Sequence, residues 1–277
     1  MRNRLNKPYH DRLVAVKLGI AVVAALVLAS AAAAAPVRTK TARLGAVHAQ
    51  LTWQPVRFNI MAKRVHLVIR RRGRTLVDRK LGPAVPWTIR VRDLDGNGEP
   101  EVIADFYTGG AHCCLFSQIY RYTGSGYAAL RHRWGDPSYR LRDVNRDGKP
   151  EFVSGDDHFA YAFTSYAGSA LPVQVWSYRA GHLTAVTRTF PALVRADGAT
   201  LWKAYERERT GEDADVRGVL AAWMADQYLL GRQDAGWATL QGINASGQLD
   251  GDTTWPVGDA YLAKLRKFLI GLGYGQD

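Results

Sequence analysis

The chain contains two acidic loops, at residues 93–101 and 143–151, that share one pattern of residue types. In each loop, oxygen-bearing side chains occupy positions 1, 3, 5 and 9, and a glycine at position 6 permits a sharp turn. This spacing lets a short loop surround a hard cation such as Ca²⁺, whereas two ion-free Asx turns are the alternative. The candidate ligands are Asp93, Asp95, Asn97 and Glu101 in the first loop and Asp143, Asn145, Asp147 and Glu151 in the second.

Strand-like segments flank both loops in the same order. Alternating apolar residues enter the first loop, an apolar run at 102–106 leaves it, and a hairpin follows. The same order recurs around the second loop, with an insertion at 156–168. We therefore predict a β-repeat domain over residues 57–190, with units at about 87–136 and 137–188, and a further hairpin at 64–80.

An acidic loop followed by Pro-Glu and an apolar strand resembles the FG-GAP/VCBS repeat of integrin-type β-propeller blades. The resemblance covers roughly residues 65–187 and implies two structural Ca²⁺ ions. It also implies that Glu99 and Lys149 each contribute a backbone carbonyl oxygen. The family has Asp more often than Glu at position 9, and two loops are too few for a closed propeller. The expected fold is thus mainly β, an antiparallel sheet of two to three blade-like repeats with a C-terminal helical region.

The N-terminus has the layout of a secretory signal peptide. Residues 1–35 combine a basic start, an apolar run from residue 18 and an alanine-rich end before Pro36. An uncleaved membrane anchor is the alternative, because 18 apolar residues lie at the lower limit of a span. We expect a secreted or cell-surface protein in which residues 36–56 form a linker, with the signal peptide as its only contact with the membrane.

The formal net charge of +12 limits the partners to be expected. A basic exported protein suits an anionic polymer, and a glycan or a protein is an equally open surface ligand. The arginines are scattered, and an exported chain seldom meets nucleic acid, so no nucleic-acid partner is expected. Aromatic residues in the insertion, among them Phe159, Tyr161, Phe163 and Tyr166, favour either sugar or peptide stacking or burial as core.

The C-terminal region, residues 191–277, changes to a helical pattern. Apolar residues recur at helical spacing over 216–231, and a further amphipathic helix begins near Asp259. A shorter helix is expected near 199–209. These helices are predicted either to pack against the sheet or to form a small helical subdomain.

The only cysteines, Cys113 and Cys114, are adjacent. Three interpretations remain open: a vicinal disulfide, two buried thiols, or a thiolate metal site with His112 that would select Zn or Cu. A thiol nucleophile with His112 or His158 as its base is also conceivable, but no catalytic motif accompanies it. We therefore predict a secreted, calcium-binding, FG-GAP/VCBS-like protein with a structural or ligand-binding role and no catalytic residues. The alternative is an exported hydrolase or redox protein that uses the His112–Cys114 region.

Overall fold

The computed structural model describes residues 35–57, 59–111, 113–211, 215–251 and 253–275. The proposed signal peptide lies outside these residues, apart from its last position. Residues 35–277 form one compact unit. This unit is mainly β, with three four-stranded antiparallel sheets followed by four C-terminal helices. The predicted mainly β, antiparallel class with a C-terminal helical region is therefore confirmed.

Each sheet is a meander of consecutive antiparallel strands. Sheet A contains β1 (Arg38–Leu44), β2 (Val47–Val56), β3 (Asn59–Arg71) and β4 (Arg74–Lys80). Sheet B contains β5 (Val85–Arg92), β6 (Glu101–Gly110), β7 (Cys113–Tyr122) and β8 (Tyr127–Gly135). Sheet C contains β9 (Arg140–Arg142), β10 (Glu151–Gly155), β11 (Val173–Arg179) and β12 (His182–Ala185). The acidic loops join β5 to β6 and β9 to β10.

The four helices are α1 (Pro191–Glu208), α2 (Arg217–Leu229), α3 (Gln233–Ala245) and α4 (Gly258–Gly271). Apolar periodicity correctly indicated α2 and α4, whereas α1 begins well before the predicted start. Sequence reasoning missed α3, because Gly236 and Gly242 interrupt its apolar pattern and lower its helix propensity. Two 3₁₀ turns, Asp157–Phe159 and Thr187–Thr189, precede the helices.

The three sheets pack on one another in chain order through strand β6, which is buried on both faces. Val102, Ala104 and Phe106 belong to the core shared with sheet A. Ile103, which points to the opposite face, joins Phe152 and Tyr178 in the core shared with sheet C. This two-sided burial explains why the strand reads as an uninterrupted apolar run rather than as an alternation.

The helices cover the remaining face of sheet C. Val173 and Val175 of β11 pack against Val194 of α1. Phe159 and Phe163 of the insertion are buried among the helices, so these two aromatic residues belong to the core. Tyr161, by contrast, is exposed and lies against Tyr166.

Residues 36–56, which the sequence suggested as a linker, carry β1 and β2 in this structure. The burial of β2 alternates strictly from Val47 to Trp53, with every second side chain in the core. The sheets also correct the expectation of propeller-like architecture: they are three separate four-stranded sheets, and no closed propeller forms within the described residues.

Close packing at one glycine of α2 gives a test of this arrangement. A Cβ atom at Gly218 would lie 2.1 Å from the carbonyl oxygen of Gly168, whereas a Cβ at Gly242 of α3 would meet nothing within 4 Å. We expect Gly218→Ala to lower the free energy of unfolding by about 1–3 kcal/mol through overpacking. Gly242→Ala, as the matched control, should raise it by up to about 1 kcal/mol through helix propensity. Urea unfolding measures both, and equal effects would contradict the packing described.

Candidate functional site: the Asp156 pocket

A buried aspartate, Asp156, lies between sheet C and the helical region. Its Oδ1 atom is 2.6 Å from Nδ1 of His158, and its Oδ2 atom accepts a hydrogen bond of 2.8 Å from the hydroxyl of Tyr274. Because a carboxylate only accepts, the neutral imidazole carries its proton on Nδ1 and leaves Nε2 as an acceptor. The aspartate therefore fixes both the orientation and the tautomer of His158, whose side chain is 68% exposed.

His158 borders the cavity that we call the Asp156 pocket. This pocket has a volume of about 550 Å³, within the range of small-molecule sites. Its lining comes from β7 and β8 of sheet B, from β10, β11 and β12 of sheet C, and from the segment after α4. Besides Asp156, Asp157 and His158, the wall includes Cys114, His132, Trp134, Ser154, Gln174 and Trp176.

An aromatic group forms one wall of the pocket. The ring of His132 lies 4.2 Å from that of Trp134 and 4.6 Å from that of Trp176, with the planes tilted toward an edge-on contact. Burial lowers the pKa of His132 below its ordinary value, which favours the neutral imidazole. Gln174 accepts a hydrogen bond from the Trp176 indole, so its amide NH₂ group keeps its donors for other partners.

A hydrogen-bond network around Asp105 supports this wall. The buried carboxylate accepts hydrogen bonds from Thr88, Arg90, Ser117 and Tyr139. Ser117 in turn accepts a hydrogen bond of 2.7 Å from the Trp134 indole. Trp134 also stacks on Phe152, with 5.1 Å between the ring centroids. Its position is thus fixed by both a polar and an apolar contact.

The predicted cation ligands of the first loop come together in space. Carboxylate oxygens of Asp93, Asp95 and Glu101 all lie within 4.8 Å of one another. Asp93 accepts hydrogen bonds from the backbone of Gly96 and Gly98, which closes the loop. Glu101 is fully buried: its Oε2 atom accepts from the amide of Leu94, and its Oε1 atom has no protein partner. Burial, together with the charges of Asp95 and Asp93, raises the pKa of Glu101 to about 7.

The second loop has the same turn but not the same carboxylate trio. Asp143 again accepts from the loop backbone, and Glu151 accepts from Val144. Asn145, however, donates its amide to Asp147, whose carboxylate also accepts from Lys149 N and lies 3.8 Å from Arg179. Within the described part of the chain, no three acidic, histidine or cysteine groups converge here as they do in the first loop.

The remaining predicted ligands have other contacts. Asn97 accepts a hydrogen bond from the amide of Glu99 through its side chain. The Glu99 carboxylate forms a two-pronged ion pair with Arg71 of β3, at 2.8 and 2.5 Å. The side chain of Lys149 lies against Gly96, so the two loops are neighbours.

The cysteine region is described only in part. His112 and the side chain of Cys113 lie outside the described residues, and the vicinal disulfide stays a prediction. Cys114 lines the Asp156 pocket together with His158, so two residues that the sequence analysis discussed as a thiol and a base share one cavity. Sequence reasoning missed Asp156, His132 and Tyr274 as site residues. The run Asp156-Asp157-His158 was the one available signal, and Tyr274 is distant in sequence.

Comparisons with known proteins match this chain to one family model and to two relatives. Residues 194–273 match the family described as the sll0997 C-terminal domain. The chain is 30% identical over 210 residues to the probable thylakoid lumen protein sll0997 of Synechocystis sp., covering 67% of this chain and 60% of that protein. It is also 30% identical over 184 residues to the uncharacterised protein y4bJ of Sinorhizobium fredii, covering 63% of this chain but only 29% of that protein. No solved structure matches.

These findings correct the family and function that the loop motif suggested. The matches are to the sll0997 C-terminal domain and to the two relatives above, and none is to an FG-GAP/VCBS repeat. The prediction of an FG-GAP/VCBS-like repeat protein of the propeller type is therefore wrong, and these matches give no support to a calcium-binding repeat function. The motif misled because Asp, Asn and Gly at these positions also make ordinary hairpin loops, as the backbone hydrogen bonds to Asp93 and Asp143 illustrate. Among the described residues, no helix is both long and apolar enough to cross a membrane.

The region matched by the family also contains a pair of carboxyl groups, one of them fully buried and the other partly buried. Asp226 of α2 is fully buried next to α1, where it approaches Gly198 and the neighbouring Asp197. Burial, followed by the charge of Asp197, raises the pKa of Asp226 to about 9. Burial also raises the pKa of Asp197. The folded protein therefore holds a proton here that the unfolded chain releases above about pH 4.

This pair predicts a pH dependence of stability. A carboxyl group with a raised folded-state pKa contributes its full stability below the unfolded pKa, and that contribution is lost as the pH rises toward 9. We expect the wild type to be less stable at pH 8 than at pH 5. Asp226→Asn should shrink that difference by about 1–3 kcal/mol, whereas Asp234→Asn at the exposed start of α3 should leave it unchanged. Urea unfolding at both pH values measures this difference in the free energy of unfolding. The assignment is wrong if Asp226→Asn loses as much stability between pH 5 and pH 8 as the wild type does.

Proposed function

We propose that this is an exported protein that binds a carbohydrate in the Asp156 pocket. The observation that carries the proposal is the imidazole of His158, held by a buried aspartate at the edge of an aromatic-walled cavity. Binding pockets combine apolar and aromatic walls with a few fixed polar groups that set the orientation of the ligand. This pocket has both parts.

The chemistry of the lining suits a sugar ring. The apolar face of a pyranose can pack on an indole such as that of Trp176, which is only partly buried. The ring hydroxyl groups can donate to Nε2 of His158 and to the carboxylate of Asp157, and accept from the amide of Gln174. Each such bond adds about 0.5–1.5 kcal/mol, so a few of them with one stacking contact give moderate affinity.

Export is supported by two independent observations. Residues 1–35 have the composition and order of a signal peptide. The relative from Synechocystis is described as a probable thylakoid lumen protein, and a lumenal protein must cross a membrane to reach its compartment. Export to a compartment that contains cell-wall or storage glycans would bring the pocket to its ligand.

Calorimetric titration of residues 35–277 with chitotetraose, cellotetraose and maltotetraose tests the pocket. We expect saturable binding of at least one oligosaccharide. Trp176→Ala should weaken it about tenfold through the lost stacking surface, and His158→Ala about fivefold through one lost hydrogen bond. Because the His158 ring donates to the buried Asp156, His158→Ala should also lower the melting temperature slightly, and binding is measured well below that temperature.

Trp87→Ala is the matched control, since Trp87 is an exposed tryptophan outside the pocket. It should bind like the wild type. The proposed site is ruled out if none of the three sugars binds, or if the Trp176 and His158 variants both bind with wild-type affinity.

A second candidate function concerns the first acidic loop alone. We propose that it holds one divalent cation that stabilises the joint between β5 and β6. The proposal rests on Glu101, a fully buried carboxylate with one oxygen lacking a protein partner, and on its convergence with Asp93 and Asp95. A bound Ca²⁺ would supply the missing partner and relieve the repulsion among the three carboxylates. The second loop lacks such a trio and is not included.

Thermal unfolding with EDTA and with Ca²⁺ tests this site. We expect about 1–2 mM Ca²⁺, enough for a weak extracellular site, to raise the melting temperature of the wild type. Glu101→Gln should abolish the increase. Glu151→Gln, the equivalent change in the second loop, should preserve it. If Ca²⁺ has no effect on the wild type, or if both variants respond alike, the single-site proposal fails.

A further inference from the structure

An exposed apolar patch lies at one end of sheets A and B. Three large apolar side chains of this region are exposed: Ile60 at 61% and Trp87 at 52%, near the starts of β3 and β5, and Val37 at 63%, immediately before β1. Ile60 and Trp87 border one shallow depression of about 680 Å³ together with Trp53, Arg38 and Lys40. We call these six residues the Trp87 patch.

The backbone presents Trp87 to solvent by a local irregularity. In the pairing of β5 with β6, Pro86 lies opposite Phe106 and Thr88 lies opposite Asp105, so Trp87 is an extra residue without a partner. This is the arrangement of a β-bulge, which redirects a side chain and is found at sites with a function. The pairing of β2 with β3 is irregular in the same way near Gln54, just before the turn that leads to Ile60.

The charges around the patch have one sign. The depression is lined by Arg38 and Lys40 and by no acidic residue. Lys40 donates to the carbonyl oxygen of Trp87, and its ammonium group lies 5.9 Å from the Trp53 ring. An indole and two aliphatic side chains beside basic groups form the pattern that inserts at the headgroup level of an anionic bilayer.

We propose that the Trp87 patch binds the surface of a membrane that contains anionic phospholipid. Trp87, Ile60 and Val37 would enter the interface, and Arg38 and Lys40 would pair with the lipid phosphates. The aliphatic side chains favour lipid over a sugar, because they offer no hydrogen bonds. Val37, Arg38 and Lys40 of the patch follow directly in the sequence after the apolar segment 18–35, which the sequence analysis interprets as part of a signal peptide. The signal peptide would then not be the only contact with the membrane.

Vesicle flotation with residues 35–277, which form one compact unit, tests the proposal. We expect the protein to float with vesicles of phosphatidylglycerol and phosphatidylcholine but much less with phosphatidylcholine alone, and 0.5 M salt should weaken binding. The double variant Trp87→Ser/Ile60→Ser should bind about tenfold more weakly, because it removes the apolar surface that inserts. Both side chains are exposed, so thermal unfolding should show that the variant still folds.

Ile270→Ser is the matched control, because Ile270 is 57% exposed on α4, outside the patch. It should bind like the wild type. Arg38→Gln should lower binding to the anionic vesicles only. The proposal is overturned if the wild type does not float with anionic vesicles, if it binds both vesicle types equally, or if the double variant and the Ile270 variant bind alike.

Discussion

The carboxylate of Asp105 is the polar contact on which the arrangement of sheets B and C depends. It is almost completely buried at the centre of β6 and accepts from Thr88, Arg90, Ser117 and Tyr139. A buried charge is tolerated only where its hydrogen-bonding capacity is filled, so these donors must stay in place once the strand is buried. Three of them lie on the flanking strands of sheet B, and Tyr139 lies just before β9. The network therefore fixes sheet B internally and joins it to sheet C.

The wall of the Asp156 pocket is a direct consequence of that network. Ser117, held by Asp105, accepts from the Trp134 indole, and Trp134 in turn contacts His132. The opposite side of the pocket depends on a second buried carboxylate, Asp156, whose partner Tyr274 follows the last helix. The pocket thus depends on two buried aspartates, Asp105 in sheet B and Asp156 after β10 of sheet C. Asp105 positions Trp134 through Ser117, and Asp156 positions His158 directly.

Local sequence patterns predicted the secondary-structure elements and the turns, which depend mainly on neighbouring residues in the chain. Alternation and apolar runs located most strands, 3.6-residue periodicity located α2 and α4, and Gly-containing acidic stretches located the two loops. The candidate site was not predictable in the same way. Asp156 and Tyr274 are 118 positions apart, and no periodicity indicates that they meet. Asp105 interrupts an apolar strand, which signals a buried polar group but does not name its partners. The linker suggested for 36–56 overlooked the alternation of Val47, Ala49 and Leu51.

The two acidic loops demonstrate how neighbours decide what a repeated motif can do. Both fold into the same turn, because the aspartate at position 1 accepts from the loop backbone in each. In the first loop, position 3 is Asp95, which accepts from Ala180 N and remains close to the buried Glu101. In the second loop, position 3 is Asn145, and Asp147 interacts with Lys149 N and Arg179 instead. A turn motif therefore specifies backbone geometry, whereas the convergence of carboxylates depends on contacts from the rest of the fold. A short turn motif that ordinary hairpin loops share is therefore too weak a signal to identify a family.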